Sequence, residues 1–229
     1  MEAGWIFDMD GVILDSNPHH KTAWSIYLEK KGLPFNDRIF DHVISGMPGN
    51  ETIRRLHGEG IPDPEVERHL EEIDGTFRDL IGRLDHLEPL PGLREFLNHI
   101  RRQEHPVALA TSAPPGNVEI ILQKLRLRGC FDRVIDRTCV SRGKPDPEVY
   151  LKAVRELQVD PSRCMVFEDS LAGIEAALGA GLKVAGVSTS HTREELLNSG
   201  VQVVIPDFTG LTPEQFFPVL RENQKSVNQ

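Results

Sequence analysis

Six short apolar runs punctuate the chain: GWIFD (4–8), PVALAT (106–111), RVID (133–136), CMVFE (164–168), LKVAGV (182–187) and VQVVIP (201–206). A strand covered on both faces shows an unbroken apolar run rather than alternation, and these runs have that character and length. Between them lie stretches with helical period, among them LREFLNHIRR, NVEIILQKLRL, PEVYLKAVREL and LAGIEAALGA. Strand alternating with helix predicts an α/β fold, a Rossmann-like parallel sheet flanked by helices on both faces.

The alternation fails between residues 17 and 86. HHKTAWSIYLEKKG opens this segment and PEVERHLEEIDGTFRDLIGRL closes it, with no convincing strand between. Pro89-Leu90-Pro91-Gly92 then restarts the pattern. The economical organisation is an α/β core of residues 1–16 and 87–229, with an all-helical cap, residues 17–86, inserted after the first strand. Hinges are expected near 15–18 and 86–90, and the cap would cover the strand ends, where open α/β sheets bind ligands.

Composition narrows the function. Hydrophobic residues make up 39% and charged residues 27%, enough for a real core, and the net charge is -9. That balance argues against nucleic acid or an anionic membrane as partner, since both need a basic surface. Cys130, Cys139 and Cys164 are odd in number and lack paired spacing, so neither a disulfide framework nor a structural zinc site is indicated. No leader pattern or membrane-length run is present, which makes a cytoplasmic protein the expectation.

Chemistry gathers at the strand ends. Residues two apart in an extended segment point to one side, so Asp8 and Asp10 converge just past the first run, before a turn at Gly11. Held together they repel unless a proton or a hard cation such as Mg2+ intervenes. A lone pair of this kind is as readily a polar turn. The second run ends at Thr111 and Ser112 before a Pro-opened helix, either a phosphate site or a helix cap. Lys144 sits in the loop SRGKPDP, and Glu168 and Asp169 end the fourth run, where an acid alone could simply cap the next helix. Jointly these four strand ends supply what phosphoryl transfer through an aspartate requires: a nucleophile, an acid-base, metal ligands, and a cation with a hydroxyl for the phosphoryl oxygens.

These segments, read in order as FDMDGVILDS, ALATS, GKPDP and FEDSLAGI, resemble the four motifs of the haloacid-dehalogenase-like superfamily. The resemblance spans essentially the whole chain and points to its β-phosphoglucomutase-like and phosphatase group with a helical cap. It implies that Asp8 is the nucleophile that forms an aspartyl-phosphate. Asp10 would act as acid and then base, and its carbonyl would bind Mg2+. Thr111 and the Ser112 backbone N–H would hold a phosphoryl oxygen, and Lys144 would neutralise charge around Asp8. Asp169 would be the metal ligand, with Glu168 binding directly, through water, or only orienting its neighbours. Asp10 also separates the chain from true dehalogenases, which lack an acid there.

Substrate choice is assigned to the cap. His20 stands where related mutases carry a histidine that positions the second aspartate; its alternative is a surface histidine on the first cap helix. The loop SGMPGNET (45–52) resembles a specificity loop, which brings Met47 and Asn50 forward as pocket residues. In β-phosphoglucomutases this loop carries a Lys and an Arg for a second phosphate; here those positions are Ser45 and Gly49. Arg54, Arg55 and Lys21 stand nearby as substitutes. The reading is a Mg2+-dependent phosphohydrolase of a small phosphorylated metabolite, a sugar or polyol phosphate among the options, acting as a monomer or weak homo-oligomer. The alternatives are a sugar phosphomutase and, from a different class, a non-catalytic phosphoacceptor or binding homologue.

Overall fold

The computed structural model describes residues 3–44 and 48–221, the side chains of 41 and 42 excepted. Its strands are β1 Gly4–Phe7, β2 Val107–Ala110, β3 Arg133–Ile135, β4 Cys164–Glu168, β5 Lys183–Val187 and β6 Val203–Ile205. They form one parallel sheet in the order β3-β2-β1-β4-β5-β6. This is the α/β arrangement expected from the apolar runs, all but CMVFE shortened at their ends.

The helices are α1 Asn17–Lys30, the single turn α2 Asp37–Ile39, α3 Gly49–His57, α4 Asp63–Arg83, α5 Leu93–Arg102, α6 Pro115–Lys124, α7 Glu148–Leu157, α8 Leu171–Gly179, α9 Arg193–Asn198 and α10 Phe217–Arg221. The segment between β1 and α5 holds no strand among the described residues.

Alternate residues of each strand feed opposite faces of the sheet. On one face Trp5, Phe7 and Phe167 join Phe96, Phe208 and Phe216 in an aromatic layer, with Phe7 stacked on Phe167 at 4.7 Å. On the other, Ile6, Ala108, Val166 and Val184 pack against α7 and α8 through Tyr150, Ala153, Ile174 and Ala177. Small residues on this second face let the helices approach closely. The aromatic layer continues into the inserted helices, where Trp24, Tyr27, Ile53 and Phe77 are buried in the same cluster.

Register sets the level of the strand ends. Phe7 lies opposite Leu109 and Phe167, so Asp8 emerges beside Ala110 and Glu168. The neighbouring strands β1, β2 and β4 therefore release their first polar residues at one height, on the carboxyl edge of the sheet.

Candidate active site

Asp8 follows β1 with its backbone N–H donated to Phe167 O at 3.0 Å, an extension of the sheet ladder. The Lys144 ammonium lies 2.7 Å from Asp8 Oδ1 and 2.6 Å from Glu168 Oε1. All three side chains are almost wholly buried. Burial raises the Asp8 carboxyl well above its ordinary range; Lys144 opposes this, while Glu168, Asp10 and Asp169 add to it. Burial acts to lower Lys144, but Asp8 and Glu168 outweigh it and hold the amine well above its usual value. One ammonium held between two carboxyl groups stays charged.

Glu168 has both oxygens engaged. Oε1 accepts from Lys144 and from the Tyr150 hydroxyl at 2.8 Å, and Oε2 accepts from the Asp169 N–H, the Ser170 N–H and the Ser170 hydroxyl at 2.9 to 3.0 Å. Burial would raise this carboxyl, yet Lys144 and these donors bring it below the ordinary value. The cap of α8 is Ser170, which accepts from the Gly173 N–H at 3.1 Å, so neither acid caps that helix. A Cβ at Gly173 would overlap the Glu168 carboxylate, which explains a small residue in the first turn.

Asp169 turns the other way. Its Oδ2 accepts from the Thr189 hydroxyl at 3.2 Å and from the Ser190 hydroxyl. Burial pushes its carboxyl up to about 7, helped by the Glu168 charge and opposed by Ser190. Gly11 makes this approach possible: its φ is +75°, and a Cβ there would collide with the Asp169 carboxylate. Asp8, Glu168 and Asp169 place ligand oxygens within 4.8 Å of one another, a buried acidic group that one divalent cation could span.

Asp10 is held apart from this cluster. Its Oδ1 accepts from the Ser16 hydroxyl at 2.5 Å and lies 3.0 Å from His20 Nε2. Burial would raise it, but His20, by charge and hydrogen bond, with Ser16 and Lys144 keeps it below the usual carboxylate value. His20 lies flat against Phe77 of α4, with centroids 4.1 Å apart and planes at 9°. Ser16, expected only as part of a hinge, is fully buried and binds Asp10 directly.

Thr111 is buried, and its Oγ1 accepts from the Ala113 N–H at 3.1 Å. It thus shapes the turn after β2 and does not cap α6, whose N-cap is Pro114. Thr111, Ser112 and Lys144 line a cleft of 480 Å³ together with Asn50, Glu67, Leu70, Arg137 and Ser141. Met47 and Ser45 lie outside the described residues. A larger groove of 710 Å³ lies away from these acids beside α7. Its Arg142 is paired with Asp146 at 3.0 Å, which leaves no strong field of either sign.

Sequence reading did not single out Tyr150, Thr189, Ser190 or Asn117. Tyr150 reads as part of the apolar stripe of α7. Thr189 and Ser190 carried a usable signal, a hydroxyl pair just past a strand, the same pattern that marked Thr111 and Ser112. Asn117 on α6 donates to Asp74 Oδ1 at 2.9 Å and accepts from Arg78 at 3.3 Å, a contact with α4 that only the fold creates.

With this geometry in place, comparison with known proteins is decisive. The family model for haloacid dehalogenase-like hydrolases matches residues 4–181. This chain belongs to that family. It is 33% identical over 219 residues to a phosphorylated carbohydrates phosphatase of Thermotoga maritima, covering 95% of this chain and 97% of the relative. It is 31% identical over 214 residues to the β-phosphoglucomutase of Bacillus subtilis, covering 91% of each. Among solved structures, a family IA, variant 3 hydrolase from Entamoeba histolytica superposes with a TM-score of 0.89 at 29% identity, covering 96% of this chain and 100% of that one. The chain is therefore a hydrolase of the haloacid dehalogenase-like family, and no helix among its described residues is long and apolar enough to cross a membrane.

Proposed function

We propose that the protein hydrolyses small phosphomonoesters, sugar or polyol phosphates being the favoured class, through an aspartyl-phosphate on Asp8. The carrying observation is the Asp8–Lys144–Glu168 line at the carboxyl edge of the sheet, with Asp10 held separately by Ser16 and His20. Residues 17–86 act as a cap on the core formed by 1–16 and 87–229, and the cleft between them admits the substrate.

The residues fit a divalent cation: three buried acids bring ligand oxygens within 4.8 Å of one another, and two of them have raised pKa values that added positive charge would relieve. Asp8, Asp169 and the Asp10 carbonyl would hold Mg2+. Glu168, whose oxygens are already taken up by protein donors, orients Lys144 and the α8 turn. When bound, the ion supplies charge neutralisation for the phosphoryl oxygens.

Asp8 attacks phosphorus as the bond to the leaving oxygen breaks, and Asp10 donates a proton to that oxygen. Water then attacks the phosphorus, Asp10 takes its proton, and Asp8 is released as a carboxylate. His20 beside Asp10 favours the ionised form that the second step needs; the arriving phosphate dianion raises it for the first. Lys144, Thr111 and Ser112 receive the phosphoryl oxygens.

Hydrolysis is favoured over a phosphomutase reaction by the cap. Position 49 is a glycine and position 45 a serine, so neither supplies a cation for a second phosphate. Arg54 donates to Ile61 O at 2.7 Å and also pairs with Asp63, and Lys21 pairs with Asp37 at 2.9 Å. These cations are committed elsewhere, whereas a bisphosphate intermediate needs one for its distal group. Screening phosphorylated metabolites for phosphate release tests the proposal, with Asp8→Asn as control. Isomerised sugar phosphate without net phosphate release would overturn it in favour of the mutase.

A further inference from the structure

Among its described residues, the cleft is lined by two charged side chains besides Lys144, which is already shared between Asp8 and Glu168. These two are Arg137 from the core and Glu67 from the cap helix α4. Arg137 is anchored through its backbone, whose N–H donates to Ala113 O at 3.1 Å in the turn that follows Thr111. Its guanidinium approaches Asp74 of α4 only to 3.8 Å, beyond hydrogen-bond reach, and is 40% exposed. Asp74 meanwhile accepts from Asn117 at 2.9 Å. Arg137 thus keeps donors to spare at a fixed place beside the cleft.

We propose that Arg137 and Glu67 are specificity-determining residues that read hydroxyl groups on the end of the substrate away from its phosphate. This rests on the phosphohydrolase reading above and names the substrate class of the same site: monophosphates of polyhydroxylated chains or rings. A guanidinium only donates and a carboxylate only accepts, whereas the hydroxyls of a sugar or polyol do both and so suit either residue. Asn50 on the cap and Ser112 and Ser141 on the core add neutral partners around the same space. A second phosphate would lie near Glu67 and Asp74 with one cation to offset it, and is selected against. A phosphomonoester without hydroxyls leaves both charges unanswered.

The test compares kcat/KM for the best of a panel of hexose, hexitol and pentitol monophosphates with that for p-nitrophenyl phosphate. Wild type, Arg137→Ala, Arg137→Lys and Glu67→Gln are each measured. The polyol-to-aryl ratio should fall about tenfold in Arg137→Ala and in Glu67→Gln, with Arg137→Lys between, since lysine keeps the charge but loses the planar fork. In an Asp8→Asn background, calorimetry should show the same monophosphate binding about tenfold more weakly once Arg137 is also replaced by alanine. Glu67 is exposed on its helix, so its variant keeps the fold. An unchanged ratio in both Arg137→Ala and Glu67→Gln would overturn the assignment, as would a wild-type preference for a bisphosphate. A wild-type enzyme that releases phosphate from neither compound would instead overturn the hydrolase reading beneath it.

Discussion

At the scale of single residues, the site divides its carboxylates by their neighbours. Asp8 faces an ammonium at 2.7 Å, and Asp10, two residues on, faces a hydroxyl at 2.5 Å and an imidazole at 3.0 Å. In the proposed mechanism these different neighbours suit the same side chain to attack in one case and to proton transfer in the other. Asp8→Asn removes the proposed nucleophile and should lower phosphate release by about a thousandfold or more, read as turnover of an aryl phosphate. Asp10→Asn should lower kcat by about a hundred- to ten-thousandfold. Ser16→Ala and His20→Gln leave both reacting acids in place but loosen Asp10, so each should lower kcat by about ten- to a hundredfold. His20→Gln should also shift the acid limb of the pH–rate profile upward, because His20 is a main influence holding Asp10 low.

At the scale of elements, α4 makes a polar link to α6 and stacks Phe77 on His20 of α1. Asn117 is buried with both ends of its amide answered by α4, through Asp74 and Arg78. Asn117→Ala strands the Asp74 carboxylate and should destabilise the closed arrangement by about 1–3 kcal/mol, seen as faster amide exchange in α4. A second element-level feature joins α1, α3 and α4: the Tyr27 hydroxyl lies 2.6 Å from His57 Nε2 and 2.9 Å from His69 Nδ1. Burial lowers the His69 pKa, reinforced by His57, Lys31 and Arg68 and opposed by Glu65. A histidine with a depressed folded pKa binds its proton more readily when unfolded, so stability rises with pH through this range and is lost as pH falls below about 6.5. Thermal melts between pH 7 and 5 should show a fall in Tm that is smaller in His69→Asn.

At the scale of the whole molecule, one aromatic cluster ties the sheet to the helices on its face and to the inserted helices. Phe167 lies at its centre, stacked on Phe7 and edge-on to Phe96, Phe208 and Phe216. Phe167→Ala should cost about 3–5 kcal/mol, measured by denaturant unfolding. The neighbouring Glu168 makes this a functional position too, because a collapsed β4 end would misplace Lys144. The acidic group at the carboxyl edge gives a further global readout. Mg2+ should raise Tm, and a chelator should reverse the gain together with activity.

Much of this was legible in the linear chain. The six apolar runs specified strands because a ladder buried on both faces leaves no polar positions, and the family motifs fell at their ends for the same reason. Asp8, Thr111, Lys144, Glu168 and Asp169 stood out jointly, by their places at successive strand ends, where each alone reads equally as a turn or cap residue. What no linear reading separates is how the carboxylates divide their partners. Glu168 and Asp169 are adjacent, yet one faces Lys144 and Tyr150 and the other Thr189 and Ser190, because consecutive side chains leave a strand in opposite directions. Arg137, Glu67, Asp74 and Asn117 likewise carry no shared motif. Arg137 and Asn117 approach Asp74, and Glu67 lines the same cleft, only because α4 packs against the turns after β2 and β3. The sequence by itself determined the family and the parallel α/β sheet, because the family motifs sit at the ends of apolar runs that pair as strands. Only the tertiary structure decided which side chains surround the rest of the cleft, because that depends on how two separately ordered layers pack.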